Sequence, residues 1–339
     1  MSNTHTPLAP AFFSEVGAPS ITQIEAAAAR IREHAVVTPL LESAVINELT
    51  GGRILFKAEV LQVAGSFKFR GACNRLMQLS PEQKQAGVVA FSSGNHALAT
   101  SAVAKLLGVK ATIIMPADAP KTKVEGARDN GATVILYDRH KDDREAIGAE
   151  ISRQSGAVTV PPYDDLYIMT GQATVGLEIV EALADVDVVA DVVLAACSGG
   201  GLVGGVASAV RAKSPATAVY AVEPAEFDEL ARSLASGKPE RNSPDAKSIC
   251  DALQVVTPGK LTFPVNQRLL AGSLSVTDDE VRDAMRVAFK HLKLAVEPGG
   301  AVGLAAVLAG KLDVKDKTVV VILSGGNVDG DFFAKVLGG

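Results

Sequence analysis

The sequence predicts an α/β fold built from open, doubly wound sheets. Short apolar runs with the composition of buried strands alternate with segments of helical pattern along most of the chain. Several runs end in small polar residues and glycine and lead directly into a helical segment, which is the pattern of a strand, a tight turn and a helix start. The hydrophobic residues, 47% of the chain, include many alanines and valines, as expected for helices packed on a buried parallel sheet.

The pattern predicts the elements in a definite order. A helix at 21–33 precedes a strand at 53–58, and a helix that contains Lys68 follows. Two series of alternating strands and helices come next, and a chain of 339 residues has room for two domains. The strands of the first series are predicted at 88–91, 111–115 and 133–136, and those of the second at 192–196, 218–222 and 318–323.

Composition and charge exclude several classes of function. The formal charge is −5 and no basic run occurs, which argues against a nucleic-acid partner. No apolar stretch reaches membrane length, and residues 1–19 lack the basic and apolar regions of a signal peptide. The three cysteines, Cys73, Cys197 and Cys250, have no metal-ligand spacing and indicate a reducing compartment. We therefore expect a cytoplasmic protein with no membrane or nucleic-acid partner.

One lysine lies between two phenylalanines and two glycines, in the segment 65–72 with the sequence Gly-Ser-Phe-Lys-Phe-Arg-Gly-Ala. An apolar pocket disfavours the charged form of an amine and lowers its pKa, so that Lys68 can act as a nucleophile and form a Schiff base. The alternative is an amphipathic lysine whose stem covers apolar surface. The segment by itself favours neither interpretation, and three further segments bear on the choice.

The first of these, 91–97 with the sequence Phe-Ser-Ser-Gly-Asn-His-Ala, follows the apolar run 87–90. Backbone N–H groups at a helix N-terminus bind anions, and the amide of Asn95 both donates and accepts hydrogen bonds. The segment therefore predicts an anion site, with an ordinary helix cap as the alternative.

The next segment contains five glycines among the eight residues 198–205, Ser-Gly-Gly-Gly-Leu-Val-Gly-Gly, between a strand pattern and a helix pattern. Glycines at this place let the chain fold closely around a phosphate, with N–H groups and the helix dipole directed at it. The segment lacks both the Gly-Lys-Ser/Thr of a P-loop and the glycine spacing of a dinucleotide site. The alternative, a flexible turn, does not explain so many glycines.

The last segment, 319–329, is an apolar run that ends at Ser324 and continues as Gly-Gly-Asn-Val-Asp. Ligands of open α/β sheets bind beyond the carboxyl ends of the strands. Three predicted strand ends, each with different polar groups, can therefore converge on one site.

These four segments, in this order and at these separations, resemble the fold-type II pyridoxal-phosphate enzymes, and within them the serine/threonine dehydratase and serine racemase branch. The resemblance covers the chain from about Ile21 to Asp329. It implies the tryptophan synthase β-like fold, in which a small doubly wound domain is inserted into a large one. On this chain the large domain comprises residues 1–76 and 164–339 and the small domain residues 77–163, with no C-terminal regulatory domain.

The resemblance also implies roles for individual residues around pyridoxal 5′-phosphate. Lys68 holds the cofactor covalently and acts as the general base at the substrate Cα. Ser93 is the second catalytic candidate, on the face of the substrate opposite Lys68. The remaining cofactor contacts are Phe67 beside the ring, Asn95 at the ring hydroxyl, Ser324 at the pyridine nitrogen, and Ser198, Gly199, Gly200, Gly201 and Leu202 around the phosphate.

Further residues are implied for the substrate and for a metal ion. The substrate carboxylate is expected at Ser92, Ser93, Asn95, His96 and Ala97. For His96 we favour a loop-positioning role over that of a general base. Arg144 aligns with a substrate-facing arginine of serine racemases, and a solvated helix face is the alternative. A Mg²⁺ or Ca²⁺ site is expected at Glu223, the Phe227 carbonyl and Glu229, where a solvated acidic helix start is the alternative.

Together these implications predict a homodimeric threonine/serine ammonia-lyase (dehydratase) that converts L-threonine or L-serine to a 2-oxo acid and ammonia. Ser324 favours elimination, because a hydroxyl does not keep the pyridine nitrogen protonated as a carboxylate does. The alternatives are a 3-hydroxyaspartate ammonia-lyase, a serine racemase and a non-enzymatic amino-acid sensor. Ala64, Ala173 and Ala252 depart from the family pattern, and Ala64 and Ala252 leave the preferred substrate side chain open.

Overall fold

The computed structural model of the protein describes residues 15–92, 94–138 and 141–338. The strands of these residues form two sheets, one of six strands and one of four. The strands are β1 Leu40–Glu42, β2 Arg53–Lys57, β3 Val88–Phe91, β4 Ala111–Pro116, β5 Thr133–Tyr137, β6 Val158–Thr159, β7 Val192–Ala196, β8 Ala218–Pro224, β9 Gly272–Val276 and β10 Thr318–Ile322.

Helices connect the strands throughout. They are α1 Ile21–Ile31, α2 Ala44–Thr50, α3 Lys68–Leu76, α4 Pro81–Ala86, α5 Asn95–Leu107, α6 Lys121–Asp129, α7 Arg144–Ser155, α8 Leu166–Ala184, α9 Gly201–Lys213, α10 Glu229–Ser236, α11 Thr262–Leu269, α12 Asp278–Val287, α13 Pro298–Leu308 and α14 Gly330–Gly338. Short helical turns at Glu59–Leu61, Val63–Gly65 and Asp251–Leu253 lie in the connections.

The six-stranded sheet has the order β1-β2-β10-β7-β8-β9. All its pairs are parallel except β1 with β2 at one edge. Alternate residues of β7 contribute to two different apolar clusters, one with α12 and α13 and the other with α8 and α9. The strand is therefore covered by helices on both faces, which explains its continuous apolar sequence.

The four-stranded sheet is entirely parallel, in the order β5-β4-β3-β6. Residues of β3 and β4 pack with α3, α5 and α6 on one face. On the other face they pack beside Ile147 and Ile151 of α7. This sheet thus has a core of its own, and helices cover both faces.

The fold class predicted from the sequence is confirmed, and the seven predicted strands lie within one or two residues of their predicted ends. The sequence pattern missed β1, β6 and β9. These strands lie at sheet edges, and β6 has two residues while β9 contains Gly272, Ser273 and Ser275. Edge strands need no continuous apolar run, so they leave little signal. In the part of the chain that the structure describes, no helix has the length and apolar character needed to cross a membrane.

Candidate active site

Lys68 is the first residue of α3, and it follows a tight helical turn. Ala64 in that turn has a φ of 58°, in the left-handed region. The Nζ atom of Lys68 donates a hydrogen bond to the Pro162 carbonyl at 2.6 Å and lies 5.2 Å from the centroid of the Phe67 ring. Burial lowers the pKa of Lys68 to about 8, while the charge of Glu297 partly opposes this shift. A much larger fraction of Lys68 than of an ordinary lysine is therefore a neutral amine near neutral pH.

Protein freed of cofactor should capture pyridoxal phosphate faster as the pH rises, with the rate levelling off above about 8. The reason is that only the neutral amine attacks an aldehyde, so the rate follows the deprotonated fraction of Lys68. Stopped-flow absorbance in the near-visible measures the rate. Nα-acetyl-lysine amide in solution, whose single amine has an ordinary pKa of about 10.4, is the control and should keep accelerating past pH 9. A rate for the protein that still climbs steeply above pH 9.5 would contradict the lowered pKa.

The segment after β3 forms the turn into α5. Ser92 Oγ accepts a hydrogen bond from the Gly94 N–H at 3.1 Å, and Asn95 is the first residue of α5. The side chains of Ser92 and Asn95 line the same cavity as Lys68. Ser93 lies outside the described residues, so its role stays a prediction.

His96 is buried beneath this turn, at the edge of the same cavity. Its Nε2 is 2.9 Å from the Val160 carbonyl, which fixes that nitrogen as a donor. Burial, followed by the charge of Lys68, lowers the pKa of His96 to about 3, so the ring is neutral at physiological pH. This hydrogen bond favours the loop-positioning role. By contrast, the side chain of Ala97 packs in the core of the four-stranded sheet and does not line the cavity.

The glycine-rich segment joins the end of β7 to the start of α9. All five residues predicted to hold phosphate, Ser198, Gly199, Gly200, Gly201 and Leu202, line the cavity. The carbonyls of Gly199 and Gly200 accept hydrogen bonds from Thr262 Oγ1 at 2.5 Å and Asn266 Nδ2 at 3.2 Å. These bonds fix the turn at the N-terminus of α9, where N–H groups and the helix dipole favour an anion.

Tyr163 covers this turn, and sequence reasoning did not identify it. A Cβ on Gly199 would overlap the Tyr163 ring, so glycine is required there by close packing. The neighbouring Pro162 and Tyr163 thus close one side of the cavity, between Lys68 and the glycine turn. No local signal in the segment 161–165 indicates this packing.

Ser324 follows β10, whose neighbour in the sheet is β7, so the two strand ends lie side by side. Its side chain lines the cavity and is 5% exposed. Its carbonyl accepts a hydrogen bond from the Phe67 N–H at 3.1 Å, which ties the end of β10 to the lysine segment. One cavity is therefore lined by the residues that were predicted to contact the cofactor ring, its hydroxyl, its nitrogen and its phosphate.

Arg144, the first residue of α7, also lines this cavity. Its guanidinium lies 5.4 Å from the centroid of the Phe91 ring. Among the described residues no carboxylate is within ion-pair distance of Arg144. Arg144 is exposed, as the solvated helix face of the alternative interpretation requires, and it also lines the cavity, so its charge is available to a ligand.

Glu223, Phe227 and Glu229 lie apart from the cavity, at the end of β8 and the start of α10. The two oxygens of Glu223 accept hydrogen bonds from the N–H groups of Leu230 and Ala231, both at 2.9 Å. Burial raises the pKa of Glu223 to about 7, and burial together with Glu223 raises that of Glu229 to about 8.

Within the described residues, no group of three or more His, Cys, Asp or Glu side chains is close enough to share a metal ion. The predicted cation site consists of two carboxylates and a carbonyl. Glu229 Oε1 is buried without a hydrogen-bond partner among these residues, which is compatible with a cation ligand.

Sequence reasoning also missed three charged residues beside the cavity: Lys123 on α6, Asp251 and Glu297. Lys123 Nζ lies 2.7 Å from Asp251 Oδ2 and 3.6 Å from Glu297 Oε2. The side chains of Lys123 and Glu297 are 4% and 2% exposed. In the sequence, each of the three residues resembles an ordinary charged residue on the protein surface.

Comparisons with known proteins agree with this geometry. The profile of the family described as pyridoxal-phosphate dependent enzymes matches residues 31–325. The chain is 39% identical to the L-threonine ammonia-lyase of Thermotoga maritima over 88% of this chain and 73% of that protein. It is 38% identical to the L-threo-3-hydroxyaspartate ammonia-lyase of Saccharomyces cerevisiae over 95% of this chain and 97% of that one.

A solved structure of serine racemase from maize superimposes with a TM-score of 0.89 at 38% identity, covering 94% of this chain and 96% of the other. The residues around the cavity fit pyridoxal phosphate, since an amine of lowered pKa, an anion-binding turn, an amide and a hydroxyl converge there. The protein therefore belongs to the pyridoxal-phosphate-dependent enzymes of fold type II, in the group that includes serine racemases and threonine and hydroxyaspartate ammonia-lyases.

Proposed function

We propose that this protein catalyses β-elimination from a β-hydroxy amino acid, with L-threonine and L-serine as the expected substrates, and releases a 2-oxo acid and ammonia. The observation that carries this proposal is the placement of Lys68 and Ser324 at one cavity. Lys68 is an amine whose pKa is lowered to about 8, and Ser324 is a hydroxyl, rather than a carboxylate, at the end of β10.

When bound, pyridoxal phosphate supplies the electron sink for the electrons released at the substrate Cα. Lys68 then has the basicity to take the Cα proton near neutral pH. The N-terminus of α5 offers N–H groups to the substrate carboxylate, next to Ser92 and Asn95. The glycine turn before α9 binds the cofactor phosphate, and Tyr163 shields it from solvent.

A second candidate is elimination from 3-hydroxyaspartate, which Arg144 favours. The substrate would carry a second carboxylate, and a guanidinium at the cavity wall without a carboxylate partner among the described residues suits it. The similarity to an L-threo-3-hydroxyaspartate ammonia-lyase is as high as that to a threonine ammonia-lyase. Arg144 therefore decides between a monocarboxylic and a dicarboxylic substrate in this proposal.

Turnover of L-serine, L-threonine, phenylserine and both 3-hydroxyaspartate diastereomers tests both candidates, in the wild type and in Arg144→Met. If threonine or serine is the substrate, Arg144→Met should change kcat/KM by less than about threefold. If 3-hydroxyaspartate is the substrate, its kcat/KM should fall about 100-fold. The second carboxylate of the substrate then lacks its ion pair with Arg144 in the transition state as well as in the bound ground state. Arg153→Met, which removes an exposed arginine of the same helix, is the matched control. No 2-oxo acid from any of the five compounds would refute both candidates.

We also propose an oligomeric state, a cellular compartment, a domain division and a cation site. The protein forms a homodimer in the cytoplasm, residues 77–163 form a small domain inserted between 1–76 and 164–339, and Glu223, Phe227 and Glu229 bind Mg²⁺ or Ca²⁺. The strands of the four-stranded sheet pack in apolar clusters distinct from those of the six-stranded sheet, which supports the domain division, and α3 and Ile168 of the large domain complete one of these clusters. The unpartnered, buried Oε1 of Glu229 supports the cation site.

A further inference from the structure

A buried carboxyl lies among the predicted cofactor contacts and is not used in the chemistry above. Glu297 immediately precedes α13, and its side chain is 2% exposed. Its Oε1 accepts a hydrogen bond from Asn95 Nδ2, and its Oε2 has no hydrogen-bond partner among the described residues. A Cβ on Gly325 would overlap Oε1, so the carboxyl packs directly against the backbone that follows Ser324. Burying a carboxyl in this way is unfavourable unless other groups compensate for it.

Glu297 ends a chain of amide hydrogen bonds that has a defined direction. Asn327 Nδ2 donates to the Ala64 carbonyl at 2.8 Å and to Asn95 Oδ1 at 2.9 Å. Asn95 Nδ2 in turn donates to Glu297. Both ends of the chain, a backbone carbonyl and a carboxylate, only accept. This fixes which end of each amide donates, and it leaves Asn95 one further N–H.

The counter-ion of Glu297 is Lys123, on a helix that packs against the four-stranded sheet. Lys123 lies on α6, whose apolar residues Val124 and Ala127 pack in the core of the four-stranded sheet. Its Nζ is 3.6 Å from Glu297 Oε2 and 2.7 Å from Asp251 Oδ2. Burial raises the pKa of Glu297 to about 7, Lys123 opposes this shift, and Asp251 adds to it. The ionisation of Glu297 therefore depends on the approach of α6 to the start of α13.

We propose that Glu297 is a positioning residue that holds the free N–H of Asn95 toward the ring oxygen of pyridoxal phosphate, and that Lys123 keeps Glu297 ionised for this purpose. The inference rests on the proposed function and on the contact between Asn95 and the ring hydroxyl that the family resemblance implies. Without an acceptor at residue 297, the Asn95 amide is held only through its Oδ1 by Asn327, so its Nδ2 is no longer fixed and the donor to the ring oxygen is weakened. The charged groups facing Glu297 are Lys123, Asp251 and, more distantly, Lys68.

Equilibrium dialysis of the full-length protein, freed of cofactor, tests this with two probes. They are pyridoxal phosphate and an analogue with hydrogen in place of the ring hydroxyl. Glu297→Met should weaken binding of pyridoxal phosphate about tenfold relative to the wild type, because a hydrogen bond to the ring oxygen is lost. Its effect on the analogue should be under twofold. Glu297→Gln retains an acceptor oxygen and should recover part of the difference.

Two further measurements separate positioning from a loss of folding. Glu178→Gln removes a different, mostly buried carboxylate, one that pairs with Lys57 and Arg70, and should lower the melting temperature without changing the ratio of the two affinities. In the wild type that ratio should decline as the pH falls through about 7, because protonated Glu297 accepts poorly. Lys123→Met should move this transition to higher pH.

Equal weakening of both probes in Glu297→Met, or a ratio that does not respond to pH, would overturn the inference. A wild-type protein that binds neither probe would instead overturn the proposed function. The two failures are therefore distinguishable.

Discussion

Lys68→Ala should lower kcat for elimination by roughly 10⁴-fold or more, which is the largest effect we expect. The variant loses the covalent anchor of the cofactor and the base that takes the Cα proton. Lys68 also lines the cavity, with its Nζ bonded to the Pro162 carbonyl and close to the Phe67 ring. Initial rates of 2-oxo acid formation measure the loss.

Borohydride reduction of the wild type, followed by peptide mass spectrometry, should place the pyridoxyl group on Lys68 and on no other lysine. Ser93→Ala is the comparison, since elimination needs a base on one face of the substrate only. It should keep a substantial part of the elimination and lose any racemisation, which solvent deuterium at Cα of recovered substrate reports. A label on a different lysine would refute the assignment. A wild type that inverts serine faster than it forms pyruvate, with both activities lost in Ser93→Ala, would favour a racemase.

Arg70→Met should lower the free energy of unfolding by about 3–5 kcal/mol, which is the largest stability effect we expect. Arg70 is fully buried and pairs with Glu59 at 2.8 Å and with Glu178 at 2.5 Å. Lys57 pairs with Glu178 at 2.6 Å, so two cations balance two carboxylates. Removing Arg70 leaves Glu59, whose side chain is 0% exposed, without its cation.

Urea unfolding followed by circular dichroism measures this change, since the chain contains no tryptophan. The matched control is Arg53→Met, which removes an ion pair whose side chains are 44% and 37% exposed and should cost less than about 1 kcal/mol. Similar losses for the two variants would mean that the buried network does not stabilise the fold.

The sequence predicted the turns of the site better than its charges. Lys68, Asn95, the glycine turn and Ser324 were identified because each stands in a short segment whose residues are contiguous. Ala97 was placed with them as a backbone contact of the substrate carboxylate, and its side chain packs in the core of the four-stranded sheet. The hydrogen bond between Asn95 and Glu297 joins residues 202 positions apart, and nothing near Glu297 in the sequence indicates it.

Similar reasoning explains why the strands were predicted and their order was not. Buried strands such as β7 and β10 are continuous apolar runs, because helices cover both faces of the sheet, and that composition is local information. No local sequence pattern indicates that β10 pairs with β2 on one side and β7 on the other. It arises from long-range packing of the sheets.

Local patterning thus sufficed for the fold class, and it predicts the phosphate turn and the reactive lysine, because strand composition, glycine conformations and helix N-termini act over a few residues. The burial of Arg70, Lys123 and Glu297 depended on the assembled fold. A charged side chain has the same local signature on a surface as in a core. Its environment is set by partners more than 50 residues away, here Glu178, Asp251 and Asn95, which meet it only in the folded chain.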